Sequence, residues 1–148
     1  MKRLAVLGAS GHGKVVADCA HSCGWGEVVF FDDAWPELST NGCWPVAGGT
    51  ARLLATLGDF GGVVVAIGNN RIRHAKLEAL KQAGATLVSL VHPAAFVSDY
   101  AVIGDGTVVF AGAVVNVDAR LGRGVIINTG ATVDHDCVLG DAVHVSPG

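Results

Sequence analysis

The second part of the chain repeats one hydrophobic position strictly every six residues. Ten aliphatic residues occupy it: Val91, Val97, Ile103, Val109, Val115, Leu121, Ile127, Val133, Leu139 and Val145. Four residues after most of them the side chain is small, as at Ala101, Ala113 and Ala131, and we expect these residues to turn the corners. Neither a helical period of about 3.6 nor a strand period of about 2 produces this interval. The sequence therefore predicts a left-handed parallel β-helix of hexapeptide repeats over residues 91–148, with about three coils.

The first ninety residues alternate between short apolar runs and amphipathic stretches with a helical period. The runs predict strands at 2–7, 27–31, 44–46, 63–67 and 86–90, and the stretches predict helices at 14–22, 51–57 and 71–83. Strands that alternate with helices along a chain form a parallel sheet with helices on its faces. The sequence therefore predicts a Rossmann-like α/β domain over residues 1–90, which meets the β-helix at His92-Pro93.

A glycine-rich turn follows the first predicted strand. It reads Gly-Ala-Ser-Gly-His-Gly at residues 8–13 and leads into the first predicted helix. Glycines let a ligand approach the backbone closely, and the N–H groups of a helix N-terminus attract phosphate. Asp32 and Asp33 end the next strand, where an acidic residue commonly binds a ribose hydroxyl. These features predict a nucleotide site with His12 directed at the ligand. A turn needed only for packing, beside two solvated carboxylates, is the alternative.

A polar segment closes the third predicted strand at the same edge of the sheet. Gly68, Asn69 and Asn70 follow that strand, and Arg71 begins the next helix. Ligands of open α/β sheets bind beyond the carboxyl ends of the strands, so Asn69 is a candidate to contact a base or sugar. Asn70 is a candidate cap for the helix. Substrate contact and capping both fit this segment.

A histidine between two carboxylates is the candidate for catalysis in the predicted β-helix. His135 lies two residues after Val133, at an outward position, and is flanked by Asp134 and Asp136. An exposed imidazole beside a carboxylate suits a general base, because its pKa is near neutral and the acid orients the ring. His144, nine residues further on, is a second candidate.

Composition and charge narrow the class of protein. The chain has 148 residues, of which 51% are hydrophobic, and a formal net charge of −3. The lack of a basic cluster argues against nucleic acid, and no apolar run reaches the ~18–20 residues of a membrane-spanning helix. Lys2 and Arg3 precede an apolar stretch that is interrupted too early for a signal peptide. The four cysteines form no CxxC motif and indicate free thiols in a cytoplasmic protein.

The order of these motifs resembles a known family. GASGHG, then FFDD, then AIGNN with a following Arg, and finally NTGATVDHDCVLGDAVHVSPG are similar to bacterial sugar acyltransferases of the sialic-acid O-acetyltransferase type. The similarity is greatest to the members that N-acetylate nucleotide-linked 4-amino-sugars, and it covers essentially the whole chain. It implies a homotrimer of left-handed β-helices with N-terminal Rossmann-like domains.

The resemblance also implies roles for individual residues. It assigns substrate binding to Ser10, Gly11, His12, Asp32, Asp33, Gly68 and Asn69. It makes His135 the catalytic base, Asp136 the acidic residue that raises its basicity, where Glu also occurs, and His144 a contact of acetyl-CoA. The implied chemistry is direct transfer from the co-substrate acetyl-CoA, without a metal, to the amino group of a nucleotide-linked 4-amino-sugar for surface glycan biosynthesis.

The end of the chain departs from the family pattern. The sequence stops at Gly148, inside a hexapeptide, whereas the family continues for several more coils. Those coils would build much of the acetyl-CoA groove and cap the interior of the β-helix. We expect from this a truncated product in which substrate binding survives while acetyl transfer is weak or absent.

Other functions stay open at this point. Two are a sialic-acid or other sugar O-acetyltransferase and a truncated, non-catalytic trimer that binds a nucleotide-sugar. A zinc enzyme of the γ carbonic-anhydrase type uses the same β-helix but needs a third ligand, such as His92, beside His135 and His144. A nicotinamide-dependent oxidoreductase is suggested by the glycine turn alone, and the order G-x-x-G-x-G counts against it.

Overall fold

The computed structural model describes residues 2–148. The chain divides into two compact units, of which the first ends at Leu87 and the second begins at Val88. The sequence places this division after residue 90. The difference arises because the backbone N–H of Leu90 donates to the carbonyl of Thr107, at 2.9 Å, and so joins the second unit.

The first unit is built on a three-stranded parallel sheet. Its elements are β1 (Arg3–Leu7), α1 (Gly11–Ser22), β2 (Glu27–Phe31), β3 (Thr40–Asn41), β4 (Trp44–Pro45), α2 (Thr50–Ala55), β5 (Gly62–Val65) and α3 (Asn70–Gln82), with a 3-10 turn at Leu57–Asp59. The sheet has the order β2-β1-β5, and β3 and β4 form an antiparallel hairpin. The predicted α/β fold is therefore confirmed for this part of the chain.

The strands of this sheet are apolar because they are covered on their faces. Alternate residues of β1, β2 and β5, such as Ala5, Phe31 and Val63, pack with Leu53 of α2 and Leu77 of α3 in one buried cluster. This burial is the main stabilising term of the unit, since apolar area removed from water contributes roughly 25 cal/mol per Å².

Several element ends differ from the sequence prediction. Helix α1 begins at Gly11, so half of the predicted glycine loop forms its first turn. Helix α2 begins at Thr50, one residue before its predicted start, and Gly49 is its N-cap. The strand predicted at 86–90 is reduced in this unit to a single bridge between Val63 and Leu87.

The second unit is a parallel β-helix of hexapeptide repeats, as predicted. Its ten described strands are β6 (Leu90–Val91), β7 (Phe96–Val97), β8 (Val102–Ile103), β9 (Val108–Val109), β10 (Val114–Val115), β11 (Arg120–Leu121), β12 (Ile126–Ile127), β13 (Thr132–Val133), β14 (Val138–Leu139) and β15 (His144–Val145). They form three parallel sheets, β6-β9-β12-β15, β7-β10-β13 and β8-β11-β14. Each strand pairs with the strand three hexapeptides later, so Val91 lies beside Val109.

The interior of the β-helix holds two residues of each hexapeptide. The repeated aliphatic side chains, for example Val115 and Ile127, are fully buried. The small residues four positions after an aliphatic, for example Ala113 and Ala131, are also fully buried in the same cluster. The sequence analysis expected these small residues to turn the corners. They instead fill the narrow interior space beside the corners.

The corners are made one residue earlier, three positions after each repeated aliphatic. In seven consecutive hexapeptides this residue has a left-handed backbone, with φ between 60° and 74°. The residues are Gly106, Gly112, Asp118, Gly124, Gly130, Asp136 and Ala142. Glycine suits this conformation because it has no Cβ, whereas other residues adopt it at a cost. Asp136, a predicted site residue, therefore occupies a position at which the repeat favours glycine.

Candidate functional site

The turn after β1 brings the backbone close to the end of β5. Gly8 has φ +114°, and a Cβ at this residue would lie 2.5 Å from the carbonyl oxygen of Ala66. Its N–H donates to the carbonyl of Phe31 at 2.8 Å. Ser10 then occupies the N-cap of α1 without a side-chain cap bond, and a Cβ at Gly11 would meet nothing within 4 Å. The first turn of α1 is thus accessible to a ligand beside Gly11, as a phosphate site requires.

Asp32 holds this turn in place. Its carboxylate accepts from the N–H of Ala9 at 2.8 Å and from the N–H of Ala34 at 2.9 Å. The side chain therefore ties the turn after β1 to the end of β2. Its part in substrate binding stays a prediction.

Asp33 links the start of α2 to α3. It accepts from the N–H of Thr50 at 2.7 Å, from the Thr50 hydroxyl at 3.1 Å and from Lys76 Nζ at 3.2 Å. The Thr50 N–H bond is the main cause that holds the pKa of Asp33 below its usual range, with the hydroxyl and Lys76 adding to it. The carboxylate thus stays charged beside the turn, where it also supplies the missing cap of α2.

The segment after β5 is fixed by an arginine that the sequence analysis missed. Asn69 caps α3 by accepting from the N–H of Ile72 at 3.0 Å, so the predicted cap, Asn70, is wrong by one residue. Asn70 instead accepts from Arg73 at 2.8 Å, and the Arg73 guanidinium also donates to the carbonyls of Ile67 and Gly68.

Arg73 is 1% exposed, and burial lowers its pKa. The sequence does contain a signal for the burial of Arg73. Its spacing from Leu77 and Leu80 places all three residues on one face of α3, which is the buried one.

A cavity of about 130 Å³ lies beyond the carboxyl ends of the three strands. It is lined by Leu7, Gly8, Asp32, Asp33, Ile67, Ile72 and Lys76. Among the residues described, its wall includes Asp32 and Asp33 but none of the other substrate residues that the sequence predicts. Its position is the one at which open α/β sheets bind ligands.

The second group of candidate residues lies at a corner of the β-helix. His135 Nδ1 is 2.8 Å from Asp136 Oδ2, and both side chains are mostly exposed, 66% and 70%. The left-handed backbone of Asp136, with φ 61°, belongs to the same corner. The N–H of His135 donates to Asp134 Oδ1 at 2.8 Å. With Nδ1 protonated and bound to the carboxylate, Nε2 keeps its lone pair and can accept a proton.

The two neighbouring carboxylates make His135 more basic. Its hydrogen bond to Asp136 is the largest cause that raises the pKa of His135, followed by the charges of Asp134 and Asp136. Proton transfer is most effective when the base is poised near the working pH, and this arrangement suits such a group.

His144 contacts an asparagine that the sequence analysis did not single out. It is the outward residue of β15, pairs with Ile126 in β12, and its Nε2 lies 3.1 Å from Asn128 Nδ2. The signal for Asn128 was weak because the equivalent positions of other hexapeptides hold residues as different as Gly104 and Phe110. His135 lies in the turn after β13 and His144 lies in β15, and these two strands belong to different sheets of the β-helix.

Residues 2–148 contain neither a membrane-spanning helix nor a metal-binding cluster. No helix in this range is both long and apolar enough to cross a membrane. Within the same residues, no three side chains of histidine, cysteine, aspartate or glutamate gather into a group able to hold a metal ion.

Comparisons with known proteins agree with both units. The family model described as the PglD N-terminal domain matches residues 3–80. The acetyltransferase domain of PglB from Neisseria gonorrhoeae FA1090, solved with acetyl coenzyme A, is 48% identical with a TM-score of 0.94. That alignment covers 99% of this chain and 71% of the other.

Two other relatives are more distant. A mutant of perosamine N-acetyltransferase from Caulobacter crescentus, solved with CoA and GDP-perosamine, is 37% identical with a TM-score of 0.90, over 99% of this chain and 70% of that one. UDP-N-acetylbacillosamine N-acetyltransferase of Bacillus subtilis (strain 168) is 38% identical over an alignment of 116 residues that covers 75% of this chain.

The match covers 52% of the Bacillus protein, so the chain spans about half the length of this curated relative. The family model, in turn, covers more than half of this chain, and the solved relatives align along almost all of it. The chain therefore belongs to the PglD-type family of bacterial sugar N-acyltransferases, in which an α/β unit precedes a hexapeptide β-helix.

Proposed function

We propose that this protein is an acetyl-CoA-dependent N-acetyltransferase that acts on the 4-amino group of a nucleotide-linked sugar for surface glycan biosynthesis. The observation that carries the proposal is the pair of His135 and Asp136, 2.8 Å apart at an exposed corner of the β-helix. Relatives aligned along nearly the whole chain support it, because one is solved with acetyl coenzyme A and another with CoA and GDP-perosamine.

In the proposed reaction His135 is the general base. The sugar nitrogen forms a bond to the thioester carbonyl carbon of acetyl-CoA, and the bond from that carbon to sulfur breaks. The proton of the amine passes to His135 Nε2 and from there to the thiolate of CoA, so the products are an amide and free CoA. Asp136 accepts from Nδ1 throughout, which fixes the tautomer of the ring and stabilises its charged form.

The proposed nucleotide-sugar site is the turn after β1 and the strand ends beside it. The N–H groups at the N-terminus of α1, at Ser10, Gly11 and His12, would receive the diphosphate. The cavity walled by Asp32 and Asp33 would receive the nucleoside, with Gly68 and Asn69 at the neighbouring strand end. Because Asp32 and Asp33 already accept protein donors, we assign them mainly to shaping the site.

The acetyl-CoA site is proposed in the β-helix. His144 and Asn128 form a polar pair on an outward face, 3.1 Å apart, and could donate to the thioester or to the pantetheine amides. We propose a homotrimer in the cytoplasm as the working form, on the basis of the family. The described part of the β-helix also exposes large apolar side chains, including Phe96, Val102 and Val138.

Direct measurement of acetyl transfer tests this function. UDP-, dTDP- and GDP-linked 4-amino-sugars, CMP-sialic acid and free sialic acid would each be incubated with acetyl-CoA, and products resolved by chromatography and mass. We expect one nucleotide-linked amino-sugar to gain a single acetyl group on nitrogen. His135→Ala should lower kcat by about 10²–10⁴-fold and leave calorimetric binding of the nucleotide-sugar unchanged.

Other results would redirect the proposal. Acetylation of sialic acid on oxygen would favour the O-acetyltransferase alternative, and saturable binding of NADH alone would overturn the acyltransferase. Nucleotide-sugar binding without any transfer would favour a binding function for this chain.

A further inference from the structure

A second cavity lies in the first unit, apart from the one beyond the strand ends. Its volume is about 380 Å³, against about 130 Å³ for the other. Its wall comes from the second half of α1, the loop before β2, the start of β2 and the turn of the β3–β4 hairpin. Pockets that enclose small molecules have volumes of roughly 300–1,000 Å³. The acetyl transfer proposed above uses none of these residues.

This cavity is near the opposite end of β2 from the proposed nucleotide site. Val28, which lines it, is the second residue of β2 and pairs with Leu4 near the start of β1. Asp32, which lines the other cavity, follows the last residue of β2. Four residues of extended strand span about 13 Å. Ligands in the two cavities would therefore not overlap.

Two of the three tryptophans of the chain line the cavity, and both rings are held from outside it. Trp44 packs edge-on against the fully buried Phe30, with ring centroids 6.2 Å apart. Trp25 packs against the backbone at Gly61, where a Cβ would lie 3.3 Å from the indole. Lys2 Nζ is 5.4 Å from the centroid of the Trp25 ring. Indoles fixed in this way lose little side-chain entropy when an aromatic ligand packs on them.

The polar groups of the wall favour a cation. Asp18 and His21 are three residues apart in α1, so they project from one face of the helix into the same cavity. Asp18 contributes a carboxylate, and indole faces also attract positive charge. Since Lys2 already lies over Trp25, the place for a ligand cation is beside Asp18, with His21 as a further hydrogen-bond partner.

We propose that this cavity is a second small-molecule site, for a planar aromatic compound that carries a protonated amine. The aromatic ring packs against Trp25 and Trp44, and the ammonium group lies beside Asp18. Such a ligand would differ in both shape and charge from the anionic nucleotide-sugar and from CoA.

Calorimetric titration of the full chain with three probes tests the proposal. Tryptamine, indole and indole-3-acetate share one ring system and differ in charge. We expect tryptamine to bind about tenfold more tightly than indole, and indole-3-acetate more weakly than indole. Asp18→Asn should abolish the preference for tryptamine while indole binding persists. Trp44→Ala should weaken all three by about tenfold or more, and Trp44→Phe should restore part of the loss.

Trp35 supplies the control, since it is 42% exposed and does not line this cavity. Trp35→Phe should leave every affinity unchanged, and a saturating nucleotide-sugar should not compete with tryptamine. The proposal is overturned if tryptamine does not saturate, if Asp18→Asn leaves its preference intact, or if the nucleotide-sugar displaces it. An increase in oligomer size that prevents tryptamine binding, seen by sedimentation, would also overturn it and assign the cavity to a second copy of the chain.

Discussion

Replacing Asp136 with glycine separates the structural cost of this residue from its proposed part in catalysis. Asp136 has a left-handed backbone, with φ 61°. That conformation costs a residue with a Cβ about 1–2 kcal/mol, and less for aspartate than for most others. Glycine avoids this cost but loses about 0.5–1 kcal/mol through the greater freedom of the unfolded chain. We therefore expect Asp136→Gly to leave the free energy of unfolding within about 1 kcal/mol of the parent, neutral or higher.

The same substitution should impair acetyl transfer. Asp136 Oδ2 lies 2.8 Å from His135 Nδ1, and this bond is the main cause that raises the pKa of His135 above 6.5. Without it the ring loses its fixed tautomer, and the pKa of His135 moves back toward 6.5. We expect kcat near neutral pH to fall by about ten- to a hundredfold. The base works when deprotonated, so the acid limb of the rate profile should shift to lower pH.

Asp118 offers a matched control for the backbone. It occupies the equivalent corner one coil earlier, with φ 60°, and Val117 stands where His135 would be. Asp118→Gly should change stability by a similar amount and leave both kcat and its pH profile unaltered.

The assay needs both thermal unfolding and product detection. Circular dichroism gives the unfolding midpoint of each variant, and chromatography of the acetylated sugar gives the rate. Thiol reagents are unsuitable because Cys23 and Cys43 are exposed. Full activity and an unshifted pH profile in Asp136→Gly would refute the assigned role of the carboxylate. A loss of stability beyond about 2 kcal/mol, absent in Asp118→Gly, would refute the reasoning about the corner.

Four further predictions concern the first unit. Gly8→Ala should lose about 2–3 kcal/mol in thermal unfolding, because its Cβ would meet a backbone oxygen at 2.5 Å. Gly11→Ala, with open space around the Cβ, should keep stability but weaken nucleotide-sugar binding in calorimetry. Arg73→Leu should cost about 2–4 kcal/mol in urea denaturation by removing the donor of the partly buried carbonyls of Ile67 and Gly68, whereas the exposed Arg71→Leu should cost almost nothing. Asp33→Ala should cost about 0.5–1 kcal/mol at pH 7. Folding lowers the pKa of Asp33. The difference in stability is therefore complete above pH 3.8 and disappears as the pH falls through the lower pKa of the folded state.

Much of the fold was predictable because each unit has a hydrophobic period of its own. The interval of six set the register of the β-helix, and the apolar runs located β1, β2 and β5. The errors lie at the ends of helices, where the backbone conformation rather than the side chain determines which residue begins the element. Glycine at position 11 is as compatible with a loop as with a first helical turn. Threonine is a residue type that often caps helices, although Gly49 and not Thr50 is the N-cap of α2.

The residues of the candidate sites could be predicted from the sequence, but the groups to which they form hydrogen bonds could not. Asp32 and Asp33 were correctly placed at the strand end, yet the donors they bind, Ala9 and Thr50, are brought to them by tertiary structure. Arg73 was missed because a charged residue normally indicates that the helix face carrying it is exposed to solvent. It is stable on the buried face only because three acceptors, two of them carbonyls of a strand-end loop, converge on it.

The β-helix explains how the proposed catalytic pair can arise on it without a change of fold. The corner backbone of Asp136 recurs in the coil before it at Asp118, so the positions that hold His135 and Asp136 exist in more than one coil. The residue in place of His135 there is valine, and the chemistry is absent while the conformation is the same. Aspartate at the corner tolerates the left-handed backbone because its carboxylate can bind locally, here to Nδ1 of the preceding imidazole. In this proposal, two side chains at one corner distinguish a catalytic coil from a purely structural one.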